Sequence, residues 1–302
     1  MANPRYKVVG LGEILWDMLP GGKQLGGAPA NFAYISTLVG DEGIVASRVG
    51  SDSLGSDALA QLSALGVTTE LIQSDALHST GTVQVELDHA GQPKFEIAES
   101  VAWDFLEWTA DWKKLAAHLD AVCFGSLAQR AATSRATICQ FLGATRKGAV
   151  RVFDVNLRQT FFSKEVLWES MNAADIVKLN HEELPRIMQL FGLEHHDEIA
   201  SADSLMELHH LKLVCVTRGY RGSLLISQQG LNEHLAYRIQ VADAIGAGDA
   251  FTAGLVHEYL RGSSLPEMNE TANRVGAWVA SQVGAMPSPG KGGIRAEIAR
   301  IG

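Results

Sequence analysis

Asp243-Ala244-Ile245-Gly246-Ala247-Gly248-Asp249 runs directly into an apolar helical pattern at Ala250, Phe251, Leu255, Val256 and Tyr259. Glycines at 246 and 248 let successive backbone N–H groups converge where the helix begins. The stretch therefore reads as an anion hole, formed by Gly246, Ala247 and Gly248, for a phosphate or a developing negative charge. A carboxylate beside such a hole needs a reason. Asp249 can take a proton from a hydroxyl while the hole holds a phosphoryl group. Read alone, the same residue is equally a helix cap.

Outward from this stretch, short β-rich runs alternate with helical patterns, the sign of a parallel sheet covered by helices. Strands are expected over 6–11, 122–125, 150–155, 176–179 and 213–217, and helices over 30–38, 56–65, 134–142 and 182–191. The βαβα order implies right-handed crossovers. Two stretches break the rhythm. Residues 13–25 turn at Pro20-Gly21-Gly22, and in 80–97 the alternation Val83, Val85, Leu87 leads to a hairpin turn at Asp88-His89-Ala90-Gly91. Thr82, Gln84 and Glu86 make the other face of that alternation polar, so these pieces together form a small antiparallel flap. With no linker or repeat in view, residues 1–302 are expected to be one domain carrying this flap.

Composition narrows the function. Of 302 residues, 46% are hydrophobic and 20% charged, enough to bury a large core. Twenty-five Lys and Arg against 34 Asp and Glu give a net charge of −9, which offers no attractive field to nucleic acid or an anionic membrane and leaves a small molecule as the expected partner. Cys123, Cys139 and Cys215 have no paired spacing and are expected to be buried, inert thiols. Residues 1–7 carry no signal-peptide core, so a cytoplasmic location is expected.

Common motifs fail on inspection. Gly10-Leu11-Gly12 lacks the third glycine of a dinucleotide fold and runs into Pro20-Gly21-Gly22, where no phosphate-capping helix fits. Gly22-Lys23-Gln24 and Gly290-Lys291-Gly292 lack the P-loop spacing, and His181-Glu182 and His257-Glu258 lack the second histidine of a zincin. The pairs His195-His196 and His209-His210 read as solvated residues.

A second glycine cluster, Gly26-Gly27-Ala28-Pro29-Ala30-Asn31, leads into a helix. With Gly246-Ala247-Gly248-Asp249 far downstream, the chain resembles the ribokinase-type (pfkB) carbohydrate-kinase family of ribokinase and fructokinase over nearly its whole length. That family carries a Gly-Gly-x-x-x-Asn motif and a Gly-Ala-Gly-Asp motif in this order. The resemblance implies a ribokinase-like α/β fold: a central, mostly parallel sheet with helices on both faces, plus a small β-sheet lid over a sugar. It implies sugar contacts at Gly26, Gly27 and Asn31, with Asp17 as the acidic residue of the first lid strand. A carboxylate there can accept two hydroxyl hydrogen bonds.

Further motifs extend the resemblance. Asn180-His181-Glu182-Glu183 matches Asn-x-x-Glu, implying that Asn180 lies beside the nucleotide and Glu183 organises the water shell of Mg²⁺. Thr217-Arg218-Gly219-Tyr220-Arg221-Gly222 matches the Thr-x-Gly-x-x-Gly turn that cups nucleotide phosphates and ribose. Asp154-Val155-Asn156-Leu157-Arg158 resembles a strand end whose Arg158 reaches a phosphate or sugar oxygen. Asn273, Gly276, Ala277 and Gly284-Ala285 resemble the elements bordering adenine. The cofactors implied are ATP and Mg²⁺, with K⁺ at Asp243 and carbonyls around Ala285 and Ser288, although Ala244-Ile245 departs from the family spelling there.

The spelling of Gly12-Glu13-Ile14-Leu15-Trp16-Asp17 and of Val101-Ala102-Trp103-Asp104 looks like bacterial fructokinases. Trp16, Phe95 and Trp103 are either lid core or walls for the sugar. The expectation is a fructokinase making fructose 6-phosphate, dimeric through its lids. A 2-keto-3-deoxygluconate kinase, a nucleoside kinase and, from another class, a non-catalytic sugar-sensing protein are the alternatives.

Overall fold

Five-residue apolar runs such as Lys7-Val-Val-Gly-Leu11 and Leu213-Val-Cys-Val-Thr217 bury both faces, which suits central strands of a parallel sheet. The computed structural model describes residues 4–87, 93–194 and 197–302, so the Asp88-His89-Ala90-Gly91 turn and the His195-His196 pair lie outside the described residues. The strands are β1 (Lys7–Leu11), β2 (Leu15–Leu19), β3 (Gly22–Gly26), β4 (Glu42–Gly50), β5 (Ile72–Asp75), β6 (Gly81–Leu87), β7 (Pro93–Ile97), β8 (Ala121–Gly125), β9 (Val150–Asp154), β10 (Ile176–Asn180), β11 (Leu213–Thr217), β12 (Ser223–Ser227) and β13 (Gly230–His234). The helices are α1 (Ala28–Val39), α2 (Ser53–Ala64), α3 (Ala110–Ala116), α4 (Ala132–Gly143), α5 (Lys164–Ala173), α6 (Glu183–Phe191), α7 (Glu198–Leu208), α8 (Ala247–Tyr259), α9 (Leu265–Ala280) and α10 (Gly293–Ile298).

Nine strands form the main sheet in the order β13-β12-β11-β10-β9-β8-β1-β4-β5, all running the same way except β12, which is antiparallel to both β11 and β13. Successive residues of β1 feed opposite layers. Val9 and Leu11 join Phe124, Phe153, Phe141 and Leu184 on the face that takes α3 to α7. Val8 joins Val45, Val152, Phe32, Leu255 and Val275 on the face that takes α1, α8 and α9. The fold is thus the expected α/β architecture with helices on both faces. Among the described residues no helix is long and apolar enough to cross a membrane.

The flap is a separate four-stranded sheet in the order β3-β2-β6-β7. It is not purely antiparallel: Leu15 to Met18 of β2 pair in parallel with Gly81 to Gln84 of β6. After β3 the chain leaves for α1, β4, α2 and β5, and it re-enters the lid from the same side as β2, so the two strands must run the same way. Trp16 is buried with its Nε1 donating to the Leu54 carbonyl at 2.9 Å, and Trp103 is fully buried with the Arg130 guanidinium 3.9 Å above its ring. Both are core.

Two other expectations are corrected. Cys139 is exposed, because it sits on the outer side of α4, whereas Cys123 and Cys215 are strand residues buried between layers. His209 is buried, not solvated. Its Nδ1 lies 2.7 Å from Asn172 Oδ1 and its ring meets Trp168 edge-on, and burial pushes its pKa down to about 4.

Candidate active site

The site forms where loops leave the C-terminal ends of β1, β9 and β10 and meet the first turns of α1 and α8. Gly27, at φ 106°, caps α1, and a Cβ there would stand 2.5 Å from the Glu13 carbonyl oxygen. That glycine lets the start of α1 press against the loop after β1. It directs Asn31, one turn in, across to α8, where its Nδ2 donates to Asp249 Oδ2 at 2.7 Å. Gly246 caps α8 with φ 75°, so Ala247, Gly248 and Asp249 are its first three residues. Helix geometry leaves the N–H groups of this turn without helical partners.

Around Asp249 the charges are dense. Its pKa is pushed up to about 6, chiefly by burial and by the nearby Asp154 carboxylate, against the Asn31 hydrogen bond and the Lys178 and Arg158 cations. Asp17, half-buried on β2, is pushed to about 6 by burial, with Arg158 opposing and Asp243 adding. A Cβ on Gly26 would stand 2.9 Å from Asp17 Oδ2, so that glycine keeps the carboxylate approachable. Arg158 is exposed; its carbonyl accepts the Phe161 N–H at 3.0 Å, while its guanidinium makes no hydrogen bond or ion pair among the described residues. Its loop takes left-handed backbone at Asn156 (φ 40°) and Gln159 (φ 49°).

On the other side of the hole, a cavity of about 770 Å³ is lined by Thr217, Gly219 and Gly222, by Asn273 and, at its inner end, by Ala247 and Gly248. Tyr220, Leu235, Tyr237 and Phe251 supply much of its apolar wall. Asn273 commits its Nδ2 to Ser223 Oγ and the Asn269 carbonyl, both at 2.7 Å.

The structure thus brings Asp17, Gly26, Gly27, Asn31, Arg158 and Asp249 to one side of the hole and Thr217, Gly219, Gly222 and Asn273 to the other. It does not bring Asn180 and Glu183 to the lining of the cavity. Glu183 is buried and accepts the N–H groups of Leu157 at 2.7 Å and Asn180 at 2.8 Å, while Asn180 Oδ1 caps the start of α6 through Glu182 and Glu183. Asp243 Oδ1 accepts from the Ile245 N–H at 3.0 Å and Oδ2 from Gly284 at 3.2 Å, closing the turn behind the hole.

Two residues with no role in the sequence reading belong here. Glu13 is 3% exposed, its Oε2 has no hydrogen-bond partner among the described residues, and burial, reinforced by Asp249, pushes its pKa up to about 7. Lys178 is buried in β10 with Nζ 3.1 Å from both Asp154 oxygens. A lysine inside the apolar run Ile176-Val-Lys-Leu-Asn180 was the available signal. For Glu13 only its place after β1 could have served.

Comparison with known proteins follows this geometry. The family model described as pfkB family carbohydrate kinase matches residues 20–291. The fructokinase of Salmonella typhimurium is 32% identical over 303 residues, covering 96% of this chain and 95% of the relative. Among solved structures, the ATP-bound fructokinase of Xylella fastidiosa superposes with a TM-score of 0.81 at 23% identity, covering 93% of this chain and 94% of that one. A double mutant of the Vibrio cholerae O395 fructokinase, with fructose, ADP and a potassium ion bound, gives 0.80 at 25% identity, covering 95% and 96%.

Proposed function

We propose that the chain, which belongs to the pfkB family of carbohydrate kinases, transfers the γ-phosphoryl group of ATP to the 6-hydroxyl of fructose. The observation that carries this reading is the Asn31–Asp249 contact of 2.7 Å, which ties the sugar-side helix to a carboxylate in the first turn of α8. In this reading the sugar lies against Gly26 and Gly27, with Asp17 and Asn31 taking its hydroxyls. ATP lies in the 770 Å³ cavity, its phosphates toward Gly246, Ala247 and Gly248 and its ribose and base beside Thr217, Gly219, Gly222 and Asn273. The hydroxyl oxygen attacks the γ-phosphorus, its proton passes to Asp249, and the bond to the bridging oxygen breaks to leave ADP. A carboxylate with a pKa of about 6 is ionised at neutral pH yet a better proton acceptor than an ordinary aspartate. The Arg158 guanidinium, with no hydrogen-bond partner among the described residues, is placed to meet the incoming oxyanions.

Among the described residues no group of three or more His, Cys, Asp or Glu side chains could hold a metal, which fits a Mg²⁺ carried in on the nucleotide. Such an ion would supply positive charge against the nucleotide phosphates. Glu183 keeps lone pairs beyond those used by Leu157 and Asn180 and would act on the ion through water. A monovalent cation at Asp243 would stiffen the turn behind the hole, and the potassium in the Vibrio cholerae relative supports it. The lid edges β3 and β7 have no strand partner among the described residues, which supports a dimer through the lids. Light scattering that shows a monomer at micromolar concentration would remove that part of the proposal.

A panel of sugars with coupled ADP detection tests the substrate. Fructose is expected to give the highest kcat/KM. A preference of about tenfold, or 1.4 kcal/mol, for 2-keto-3-deoxygluconate or a nucleoside overturns fructose. Absence of turnover on every acceptor favours the sugar-sensing alternative.

A further inference from the structure

Gly248 has an unusual neighbour. A Cβ built on it would stand 3.0 Å from Lys178 Nζ and 4.0 Å from Lys178 Cε. The ammonium therefore lies against the second residue of α8, and Lys178, unlike Gly248, does not line the nucleotide cavity. It arrives there because Lys178 shares a face of β10 with Ile176, turned toward the layer that holds α8, and its in-register neighbours are Asp154 on β9 and Cys215 on β11. Asp154 holds the ammonium with both oxygens at 3.1 Å and takes a further hydrogen bond from Thr252 Oγ1 of α8, also at 3.1 Å. The lysine and aspartate side chains are 8% and 5% exposed.

A buried ion pair adds little to stability compared with well-packed apolar residues, so stability alone does not explain one in the middle of a sheet. Its position supplies another reason. We propose that Lys178 is a positioning residue for phosphoryl transfer: its ammonium, fixed by Asp154 beneath Gly248, supplies the positive charge behind the anion hole that orients and stabilises the phosphoryl group in flight. Burial works against the charged ammonium, but Asp154, Glu183 and Asp249 outweigh it and raise the Lys178 pKa, so the charge is permanent. The same cation holds down the pKa of Asp249, which burial and Asp154 drive up. Glycine at 248 is then required for closeness as well as for turn geometry: any side chain there would stand between the charge and the hole. A preorganised charge of this kind acts most strongly where charge develops, which is in the transition state. The inference rests on the kinase reading given above.

The test separates transition-state from ground-state effects. ADP binding is measured by calorimetry with Mg²⁺ and the sugar that the panel identifies, with and without aluminium fluoride, which mimics the transferring phosphoryl group. The variants are Lys178→Met, Lys178→Met/Asp154→Asn, which leaves no buried charge unpaired, and Gly248→Ala, whose methyl displaces the ammonium. For the two lysine variants the expected result is that ADP and sugar dissociation constants stay within about threefold of the parent. The tightening by aluminium fluoride should fall by on the order of 10²-fold, and kcat should drop by a similar factor with little change in KM. Parental tightening in the double variant, or in Gly248→Ala should the lysine variants not fold, overturns the role of Lys178 and leaves the kinase reading standing. A parent chain that shows no tightening with any sugar overturns the kinase reading, and this inference with it.

Discussion

The two sides of the anion hole are built on different principles. On the lid side, Glu13, Asp17 and Asp249 are carboxyl groups pushed by burial to about 7, 6 and 6, and Glu13 Oε2 and Asn31 Oδ1 have no hydrogen-bond partner among the described residues. On the nucleotide side, the Asn273 amide N–H groups, Ser223 Oγ and Asn269 Oδ1 are joined in one hydrogen-bonded group, and the cavity offers apolar walls and glycine turns. Unsatisfied buried acceptors are costly, so a fold keeps them where an incoming donor will complete them. The contrast suggests that one side recognises its ligand by hydrogen bonds made on binding and carries the chemistry, while the other recognises shape.

The sharpest way to break this contrast is Asp249→Asn. Asparagine keeps the size of aspartate but accepts no proton at neutral pH. The expected loss in kcat is on the order of 10²- to 10⁴-fold, with ATP and sugar dissociation constants nearly unchanged by calorimetry. A kcat within about threefold of the parent makes Asp249 a helix cap and removes chemistry from the lid side.

Glu183→Ala probes the boundary between the sides. It strips two backbone N–H groups of their acceptor, so denaturant unfolding should show a loss of about 1–3 kcal/mol. The Mg²⁺ requirement should rise while sugar affinity stays close to normal. An unchanged Mg²⁺ titration retires its part in handling the metal.

Glu13→Gln sharpens the electrostatic half of the contrast. Asp249 must be ionised to accept a proton, so kcat/KM in the parent should decline as pH falls through about 6. Glu13, pushed to about 7 by burial and by the Asp249 charge, takes its proton first as the pH falls and is neutral where Asp249 titrates. A neutral amide in its place should therefore leave that acid limb near 6. A limb that moves by a full pH unit means that an ionised Glu13 shapes the Asp249 titration. The smallest effect on kcat is expected across the hole at Tyr220, which is 92% exposed on the rim of the cavity. Tyr220→Ala should raise the KM for ATP by no more than about tenfold, the worth of one aromatic contact, and leave kcat alone. A drop in kcat there would erase the distinction between the two sides.

Much of this architecture was legible before any coordinates. The strand at 213–217 matches its expected bounds, and those at 122–125, 150–155 and 176–179 differ from theirs by one residue at an end, because apolar runs of that length suit only central strands. β4 escaped notice because Gly43, Ala46, Ser47 and Gly50 dilute its β-rich signal, although it is nine residues long. The glycine motifs identified both sides of the hole, since backbone conformation at such turns is dictated locally. The mixed pairing of the lid depended on the route of the chain between β3 and β6. The burial of His209 and the pairing of Lys178 with Asp154 depended on neighbours 37 and 24 positions away. Local chemistry fixes where the backbone turns and which faces are apolar. The environment of a charge is set by what the fold packs around it, and so only the tertiary structure decided that Glu13 and Asp249 share a buried corner and that an ammonium lies behind Gly248.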